Sequence, residues 1–326
     1  MIKKKLILAG LAAASIVTTA PALAAGTLTI SNQTGIITIN DNNDWDEIVI
    51  PQNKTLKARI HILSGRTKDV VIRGLNRTTS VIAPNGLLGA SKPDEKGTAG
   101  KKLSNIYSNC NCTVSISKLT SRNPQKFHIL GDTDKSVMLV DNVNLHTRIA
   151  SGGDVHDHHT TDGFGGGVGS VIKNTEIDTF DDSIKVYRTL MTADKVTIYH
   201  NQFGSPYQFG WGGFNDAKLI LKGTNTVIDN YNTSGGDYRH GVFGWVKTNE
   251  SGYVRKVDFR GQFKHQVASG KSRSPLYSIG QLNNTTSVVN GATVSLFGSN
   301  CLASTGSNTD IRNGSQVSIR NGAYCK

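Results

Sequence analysis

Short runs rich in β-branched residues recur along almost the whole chain, and they constrain its fold more than any other feature. Each run is the length of one strand, alternates apolar with polar side chains, and is bounded by Asn, Asp, Gly, Ser or Thr. The clearest runs read TLTIS, GIITIN, DEIVI, DVVIRG, CTVSISKL, SVMLVDNVNL, SVIKNTEI, DKVTIYHN, AKLILKG, NTVIDN, ATVSLFG and SQVSIRNG. Almost no helical periodicity is present between them, so the sequence predicts an all-β protein.

The distances between equivalent positions predict how these strands are arranged. Leu145, Ile177, Ile198 and Ile228 follow one another at steps of 32, 21 and 30 residues, and Val294 and Val317 are 23 residues apart. Steps of roughly 20 to 30 residues suit the coils of a parallel β-helix. We therefore predict one parallel β-helix domain over residues 25–326, with about ten to thirteen coils. An antiparallel sandwich or jelly roll is the alternative, but Asn-Gly and Asp-Gly hairpin turns are sparse.

The first residues have the features of an export signal. Lys3, Lys4 and Lys5 precede a mostly apolar stretch, and Ala22-Leu23-Ala24 fits the small-residue rule for cleavage. We predict a cleaved signal peptide over residues 1–24 and a secreted or periplasmic protein, with an uncleaved membrane anchor as the alternative. No later segment approaches the roughly 20 apolar residues of a membrane span, so we expect no stable membrane insertion.

The charge of the chain gives an indication of its partners. The formal net charge is +12, and it falls to +9 when the three lysines of the signal peptide are removed. Such a charge attracts polyanions, including acidic polysaccharides. The basic residues are scattered and form no dense block of the kind found in nucleic-acid-binding tails. We therefore expect a polysaccharide partner, no nucleic acid, and a monomeric protein.

The cysteines and histidines do not form a recognisable metal site. The four cysteines are Cys110, Cys112, Cys301 and Cys325. In an oxidising compartment Cys301 and Cys325 could pair, whereas the pairing of Cys110 and Cys112 stays open. No histidine pair completes a zinc ligand set with them. The run DVHDHH at residues 154–159 is interpreted as a polar loop near substrate, and we expect no metal and no cofactor.

Three aspartates are the candidate catalytic residues. Asp181 and Asp182 are adjacent and come directly before the strand-like run SIKVY, while Asp162 lies 20 residues before Asp182. Because stacked coils are about 4.8 Å apart, residues one coil apart in sequence can lie side by side. Like charges at that distance raise at least one pKa. A protonated carboxyl beside ionised ones is what glycosidic cleavage requires, since one group protonates the leaving oxygen and another activates water.

Two conditions bear on this interpretation. Neighbours on a regular strand point to opposite faces, so Asp181 and Asp182 must lie at a bend for both to face a cleft. The same residues could instead form a solvated turn or a pair of calcium ligands.

Three motifs together resemble the core of glycoside hydrolase family forty-nine, the dextranase and isopullulanase group. They are Thr161-Asp162-Gly163, the run from Asp181 to Tyr187, and the run from Gln208 to Trp211, in matching order and spacing within about residues 150 to 235. The chain is similar, more distantly, to polygalacturonases. Departures from the family are Phe180 where members have Asn, the glycine-rich run FGGGVG, and a chain with no room for the family's additional β-sandwich.

The resemblance implies a fold and a mechanism. The fold is a right-handed parallel β-helix of the pectin-lyase type, and the reaction is hydrolysis of a polysaccharide with inversion at the anomeric carbon. Asp181 is then the general acid, and Asp162 and Asp182 activate the water. The departures leave the sugar open, and the positive charge of the chain points to an anionic glycan.

Further residues are candidates for binding the substrate. Lys185 and Tyr187 alternate on one face of a strand and are expected to line the cleft. Gln208 is suited to binding hydroxyls, and Trp211 to packing against the apolar face of a sugar ring. His240, in the run YRHGVFGW, is expected to contribute a further subsite.

The sequence thus predicts an exported polysaccharide-degrading glycoside hydrolase. Two other classes remain open. A polysaccharide lyase on the same fold would need a Lys or Arg base and usually calcium. A non-catalytic carbohydrate-binding or adhesion protein would bind glycan and leave it intact.

Overall fold

Each coil of the structure consists of short strands separated by corners, and the strands of successive coils lie side by side. The computed structural model of the chain describes residues 26–30, 32–42, 44–84, 100–148, 161–188, 190–201, 204–210, 217–230, 241–245, 254–279, 286–291, 294–296, 309–311 and 316–320. The predicted signal peptide and the residues Cys301 and Cys325 lie outside these ranges.

The described residues form 29 strands, which are numbered in chain order. Their bounds are β1 Thr27–Thr29, β2 Thr34–Ile39, β3 Glu47–Ile50, β4 Lys54–Ile62, β5 Val70–Gly74, β6 Ser80–Ile82, β7 Ile106–Ser108, β8 Thr113–Ser117, β9 Thr120–Arg122, β10 Phe127–Gly131, β11 Val137–Asp141, β12 Asn144–His146, β13 Asp162–Gly165, β14 Val171–Lys173, β15 Glu176–Thr179, β16 Ile184–Lys185, β17 Met191–Asp194, β18 Thr197–His200, β19 Tyr207–Gln208, β20 Lys218–Lys222, β21 Thr224–Asp229, β22 Phe243–Trp245, β23 Val254–Phe259, β24 Gln262–Val267, β25 Tyr277–Ile279, β26 Thr286–Gly291, β27 Val294–Leu296, β28 Thr309–Ile311 and β29 Gln316–Arg320.

The strands form three parallel ladders. Sheet A is 11-stranded and runs β1, β3, β5, β8, β11, β14, β17, β20, β23, β26 and β29. The other 18 strands form sheets B and C, which share β4 because its second half pairs with β2 and β7 and its first half pairs with β6. Sheet B continues through β10, β13, β16, β19, β22, β25 and β28, and sheet C through β9, β12, β15, β18, β21, β24 and β27.

The chain therefore visits sheets A, C and B in turn and winds a right-handed parallel β-helix of the pectin-lyase type, as predicted. The 11 strands of sheet A fall within the predicted range of coils. Because the described pairings are parallel, the antiparallel alternative is wrong. No helix among the described residues is both long and apolar enough to cross a membrane.

Buried side chains form columns along the helix axis. In sheet A, Ile48, Ile72, Ile116, Val140 and Ile172 occupy equivalent positions of successive coils, and each is at most 1% exposed. Each such side chain contributes about 1.5–3 kcal/mol when it is fully buried. This column explains why the β-branched runs recur once per coil.

The register differs from the predicted repeat at two places. Leu145, Ile177 and Ile198 are stacked as predicted, but the next member of this column is Val227, because Ile228 pairs with Tyr199 on the other face of the strand. The proposed repeat between residues 294 and 317 is wrong. The first of these lies in β27 of sheet C and the second in β29 of sheet A, so they are not equivalent coil positions.

The corner from sheet A to sheet C depends on one residue in the left-handed region. The residues in this conformation are Lys118, Asn142, Asn174, Lys195, Gly223 and Asn53, with φ between 50° and 59°. The first four donate their amides to carbonyl oxygens of the following coil at 2.9 to 3.3 Å. Asn and Gly adopt this conformation readily, whereas a lysine is strained there by about 1–2 kcal/mol.

The glycine-rich run after Asp162 is explained by close backbone packing. A Cβ atom at Gly167 would lie 2.6 to 2.8 Å from the carbonyl oxygens of Thr133, Asp134 and Ser136. A Cβ atom at Gly166 would lie 2.3 Å from Ser170 Oγ. The run therefore packs one corner against the preceding coil. In the coil before that, Cys110 and Cys112 form a disulfide with each other.

The strained lysines give a test of the corner geometry. We expect Lys195→Gly to stabilise the protein by about 0.5–1 kcal/mol, because glycine removes the left-handed strain and loses part of that gain to backbone entropy. Lys173→Gly, in the regular strand β14, is the matched control and should destabilise by about 0.5–1 kcal/mol. The measurement is the free energy of unfolding in urea. Equal destabilisation by both variants would contradict the corner geometry.

Candidate active site

The site forms at a corner between sheets C and B. Asp181 and Asp182 lie between β15 and the two-residue strand β16, and Asp162 begins β13 in the preceding coil. Gly163 donates its amide to Asp182 O at 2.9 Å, and Asp181 donates its amide to Thr161 O at 3.3 Å. The pair therefore lies at a bend, where regular alternation has not begun, and the coil ladder aligns it with Asp162.

The three carboxylates come together in one cluster. One oxygen from each of Asp162, Asp181 and Asp182 lies within 4.8 Å of the others. Asp162 and Asp182 are each 1% exposed, while Asp181 is half-buried. Three acids at this separation repel strongly when all are ionised, so the surroundings must supply positive charge or protons.

Lys185 supplies the positive charge. Its Nζ lies 3.3 Å from Asp162 Oδ1 and donates a hydrogen bond to Asp182 Oδ2. Burial alone would favour the neutral amine, but the charges of Asp162 and Asp182 outweigh it and hold the pKa of Lys185 well above its usual value. The side chain is therefore a buried ammonium bridging two coils.

Asp182 is held by further donors. Its Oδ1 accepts a hydrogen bond from the amide of Ser205 at 2.7 Å and from Gln208 Nε2 at 3.1 Å. Gln208 Oε1 in turn accepts the amide of Gly210 at 2.8 Å. Gln208, expected to bind sugar hydroxyls, thus orients the Asp182 carboxylate with its amide nitrogen.

Asp162 has a weaker set of partners. A second lysine, Lys126, places its Nζ 3.6 Å from Asp162 Oδ2 and is 28% exposed. Asp162 Oδ1 accepts no hydrogen bond among the described residues. Burial raises the pKa of Asp162, and the charges of Lys185 and Lys126 oppose that rise. Asp162 Oδ1 lies 3.3 Å from Lys185 Nζ and keeps a further lone pair that is suited to accepting a proton from water.

Asp181 is the carboxyl that most favours its protonated form. Burial and then the charges of Asp162 and Asp182 raise its pKa well above the usual value. The lysines oppose this shift with smaller effects. The cluster therefore combines a carboxyl whose raised pKa favours protonation with carboxylates whose charge is balanced by Lys185, which is the combination that acid/base chemistry needs.

A backbone turn packs directly behind the pair. Gly204 has a φ of +68°, and a Cβ atom there would lie 2.4 Å from Asp181 C and from Asp182 N. Only glycine allows this contact, which brings the Ser205 amide within reach of the Asp182 carboxylate. This turn and its contact with Asp181 and Asp182 were not predicted from the sequence, although Gly204 and Ser205 precede Gln208 by only a few residues.

The remaining predicted residues fall into three groups. Tyr187 is half-buried and hydrogen-bonded to Lys185, and burial raises the pKa of its phenol. Ile184 and Val186, which alternate with Lys185 and Tyr187, are in the core, and so is Phe209. Trp211, His240 and the run at residues 154–159 lie outside the described residues. Sequence reasoning missed Lys126, because a long insertion separates its coil from that of Asp162.

The acidic cluster has the oxygen spacing of a cation site, but a cation is already supplied by the protein. Lys185 Nζ contacts two of the three carboxylates where a metal ion would bind. Among the described residues, Lys185 therefore balances the charge of these two carboxylates.

Comparison with known proteins supports the fold. No protein-family model matches the chain, and no curated protein matches its sequence. Among solved structures, Dex49A from Penicillium minioluteum, a family forty-nine dextranase, is similar with a TM-score of 0.55 and 13% sequence identity. The similarity covers 92% of this chain and 58% of Dex49A. The family resemblance noted in the sequence thus agrees with a shared β-helical fold.

The role of Lys185 can be tested through stability. We expect Lys185→Met to cost about 3–5 kcal/mol at pH 7, because it leaves two buried carboxylates without their cation. The loss should shrink at pH 5. Without the ammonium the folded chain binds protons more tightly than the unfolded chain, so its stability rises as the pH falls. Urea unfolding at the two pH values measures this.

Lys173→Met is the control for this experiment. Lys173 forms a solvent-exposed ion pair with Asp141 at 3.3 Å, and its loss should cost at most about 1 kcal/mol. A Lys185→Met variant that is as stable at pH 7 as this control would show that Lys185 is not the charge partner of the site.

Proposed function

We propose that this chain is an exported glycoside hydrolase that cleaves a polysaccharide by acid/base catalysis. One observation carries the proposal: Asp162, Asp181 and Asp182 meet at one corner, and their surroundings favour a proton on Asp181 and charge balance by Lys185. The shared fold with Dex49A supports the same class of reaction. Export rests on the N-terminal sequence.

In the proposed reaction Asp181 donates its proton to the glycosidic oxygen as the bond to the anomeric carbon breaks. A water attacks that carbon and gives its proton to Asp162 or Asp182. Asp162 Oδ1, whose close contact among the described residues is Lys185 Nζ at 3.3 Å, is the proposed acceptor. The two protons are then exchanged with solvent, so that the starting state returns.

Inversion at the anomeric carbon is proposed from the family resemblance. Inverting enzymes usually separate acid and base by about 6.5–9.5 Å, and retaining enzymes by about 5–5.5 Å. The nearest oxygens here lie within 4.8 Å, which favours retention by that rule and makes it the second candidate. Inversion then requires that the water lie beside the acid, held by Asp162 and Asp182 together. NMR spectra recorded during hydrolysis identify which anomer is formed first, and this distinguishes inversion from retention.

An anionic glycan is the proposed substrate class. The exported chain has a net charge of +9, and Lys126 places a partly exposed ammonium beside Asp162. A panel of acidic glycans together with dextran and other α-glucans tests this, with release of reducing ends as the readout. Cleavage of α-glucans alone would contradict the anionic class, and cleavage of none would contradict the hydrolase proposal.

The two other functional classes have different support. A lyase needs a neutral lysine or an arginine as base, but the pKa of Lys185 is raised, which favours the ammonium. Unsaturated products that absorb ultraviolet light would nevertheless establish a lyase. A binding protein would hold glycan without cleaving it, and Asp181→Asn would leave that binding unchanged.

Replacing the proposed acid separates activity from stability. We expect Asp181→Asn to lower kcat by about 10²–10⁴-fold, because the leaving oxygen loses its proton donor. We also expect the variant to be more stable than the wild type at neutral pH. The raised pKa of Asp181 means that wild-type stability falls as the pH rises above the usual aspartate value, and asparagine removes this dependence. Thermal unfolding between pH 4 and pH 8 measures it.

Asp194→Asn is a matched control, because Asp194 ends β17 in sheet A and is not part of the cluster. It should keep wild-type kcat and show no comparable gain in stability as the pH rises. A loss of stability in Asp181→Asn across the whole pH range would contradict the assigned protonation.

Lys126 provides a test through the pH profile. The positive charge of Lys126 lowers the pKa of both Asp162 and Asp181. Lys126→Met should therefore move both limbs of the bell-shaped profile of kcat/KM to higher pH. Lys222→Met, at the end of β20 in sheet A, is the control and should leave the profile in place. A profile that moves to lower pH in Lys126→Met would contradict the assignment.

A further inference from the structure

Behind the aspartate corner lies a second cluster of polar groups that the proposed chemistry does not use. His200, Asp229 and His265 occupy successive coils of sheet C, and Ser274 follows β24. All four are buried, with at most 4% exposure. His200 lies one coil after Thr179, the last residue of β15 before the corner.

Asp229 is the centre of this cluster. Its Oδ1 accepts hydrogen bonds from His200 Nδ1 at 2.9 Å and from Ser274 Oγ at 2.8 Å. Its Oδ2 accepts hydrogen bonds from His265 Nε2 and from the Ser274 amide, both at 2.7 Å. Burial opposes ionisation, but the bonds from the two histidines outweigh it and hold the pKa of Asp229 well below its usual range. Asp229 is therefore a buried anion with four donors.

The two histidines have different surroundings. His200 Nε2 lies 3.1 Å from the carbonyl oxygen of Gly204, so both ring nitrogens of His200 face acceptors. An imidazole can donate to two acceptors only when it carries both protons. His265 Nδ1 has no hydrogen-bond partner among the described residues, so His265 needs only its Nε2 proton. The cluster therefore holds the His200 ring between the Asp229 carboxylate and the Gly204 carbonyl oxygen.

This cluster is linked to the site through one turn. His200 holds the carbonyl of Gly204, and the next residue, Ser205, donates its amide to Asp182 Oδ1 at 2.7 Å. Gly204 also lies against the backbone between Asp181 and Asp182. A shift of this turn would therefore move a donor of the Asp182 carboxylate and release the support behind the pair.

We propose that His200, held by Asp229 and His265, is a positioning residue that fixes the Gly204–Ser205 turn and through it the Asp182 carboxylate. His200 does not contact substrate in this proposal and acts only through the turn. The kinetic part of the test depends on the proposed function, because it needs a glycan that the chain hydrolyses.

The chain contains a matched control for a merely structural role. His128 is fully buried, and its two ring nitrogens face Ser121 Oγ at 2.9 Å and Thr147 Oγ1 at 3.2 Å. It lies in β10 of sheet B in an earlier coil, between Ser121 of β9 and Thr147, and is not linked to Asp182 by these bonds. A general cost of replacing a buried histidine would affect both residues alike.

Three variants separate the two roles. In His200→Asn the amide nitrogen replaces Nδ1, so the bond to Asp229 is kept and the bond to the Gly204 carbonyl is lost. In His200→Gln the amide nitrogen replaces Nε2, so the bond to Gly204 is kept. His128→Asn is the control. Thermal unfolding establishes that each variant is folded at the assay temperature.

The first readout does not depend on activity. With aspartate labelled with ¹³C at its carboxyl carbon, the Asp182 signal is assigned by its absence in Asp182→Asn. We expect this signal to move in His200→Asn, to move less in His200→Gln and to stay in place in His128→Asn. If His200→Asn does not fold, Asp229→Asn is used instead, because loss of the carboxylate removes the partner of His200 Nδ1 and should move the same signal.

The second readout is kinetic. On a hydrolysed glycan, His200→Asn should lower kcat by about 10- to 100-fold with KM within about twofold, since misplacement of a catalytic group affects the reacting step. His200→Gln should recover most of the rate. An unchanged Asp182 signal, or equal losses of kcat in His200→Asn and His128→Asn, would overturn the proposal. If no glycan is hydrolysed by the wild type, the proposed function fails while the carboxyl signal still decides the positioning role.

Discussion

The hydrogen-bond ladder between successive coils is the constraint on which the site depends. It stacks the coil of Asp162 on that of Asp182 and the coil of Asp182 on that of Ser205, with amide-to-carbonyl distances of 2.9 to 3.0 Å. Side chains that are distant in sequence therefore become neighbours without any dedicated loop. The apolar columns keep this register, because a slip of one residue would turn every inward side chain outward.

Charge balance is the second requirement of the site. The ladder brings three carboxylates together at a separation where their mutual repulsion is large. Lys185, which lies in the coil of Asp182, balances the charges of Asp162 and Asp182. The third, Asp181, has no such cation in direct contact among the described residues, and burial together with the charges of Asp162 and Asp182 raises its pKa. The same arrangement thus creates both the proton donor and the carboxylates proposed to activate water.

Much of the fold could be predicted from the sequence because its signal is periodic. Inward positions such as Ile72 and Ile116 must be apolar in every coil, and this repeats along the chain. The bend at Asp181 and Asp182 could also be anticipated, since two adjacent acids on a regular strand would have placed one in the core. Short strands of sheet B, such as the two-residue β16, have no such signal because corner backbone sets their conformation.

The part of the site that could not be predicted depends on contacts between side chains of different coils. Lys185 was expected to face substrate because alternation places it on the outer face, but alternation does not reveal that two carboxylates lie beside it. Gln208 was expected to bind hydroxyls because of its amide group, but that group bonds the Asp182 carboxylate instead. The network around Asp229 was not anticipated, because buried histidines and aspartates at 29 to 45 residue separations have no local pattern.

The glycine at the turn behind the pair has a consequence for how such a chain can change its length. Gly204 contacts the peptide between Asp181 and Asp182 in the preceding coil, so the segment from the pair to this turn must span one coil with a fixed number of residues. An insertion there would separate the turn from the acids. An insertion at a corner that does not contact this turn would leave the distance between the turn and the acids unchanged. The site therefore fixes the number of residues between the pair and Gly204, whereas it does not fix the lengths of corners that make no such contact.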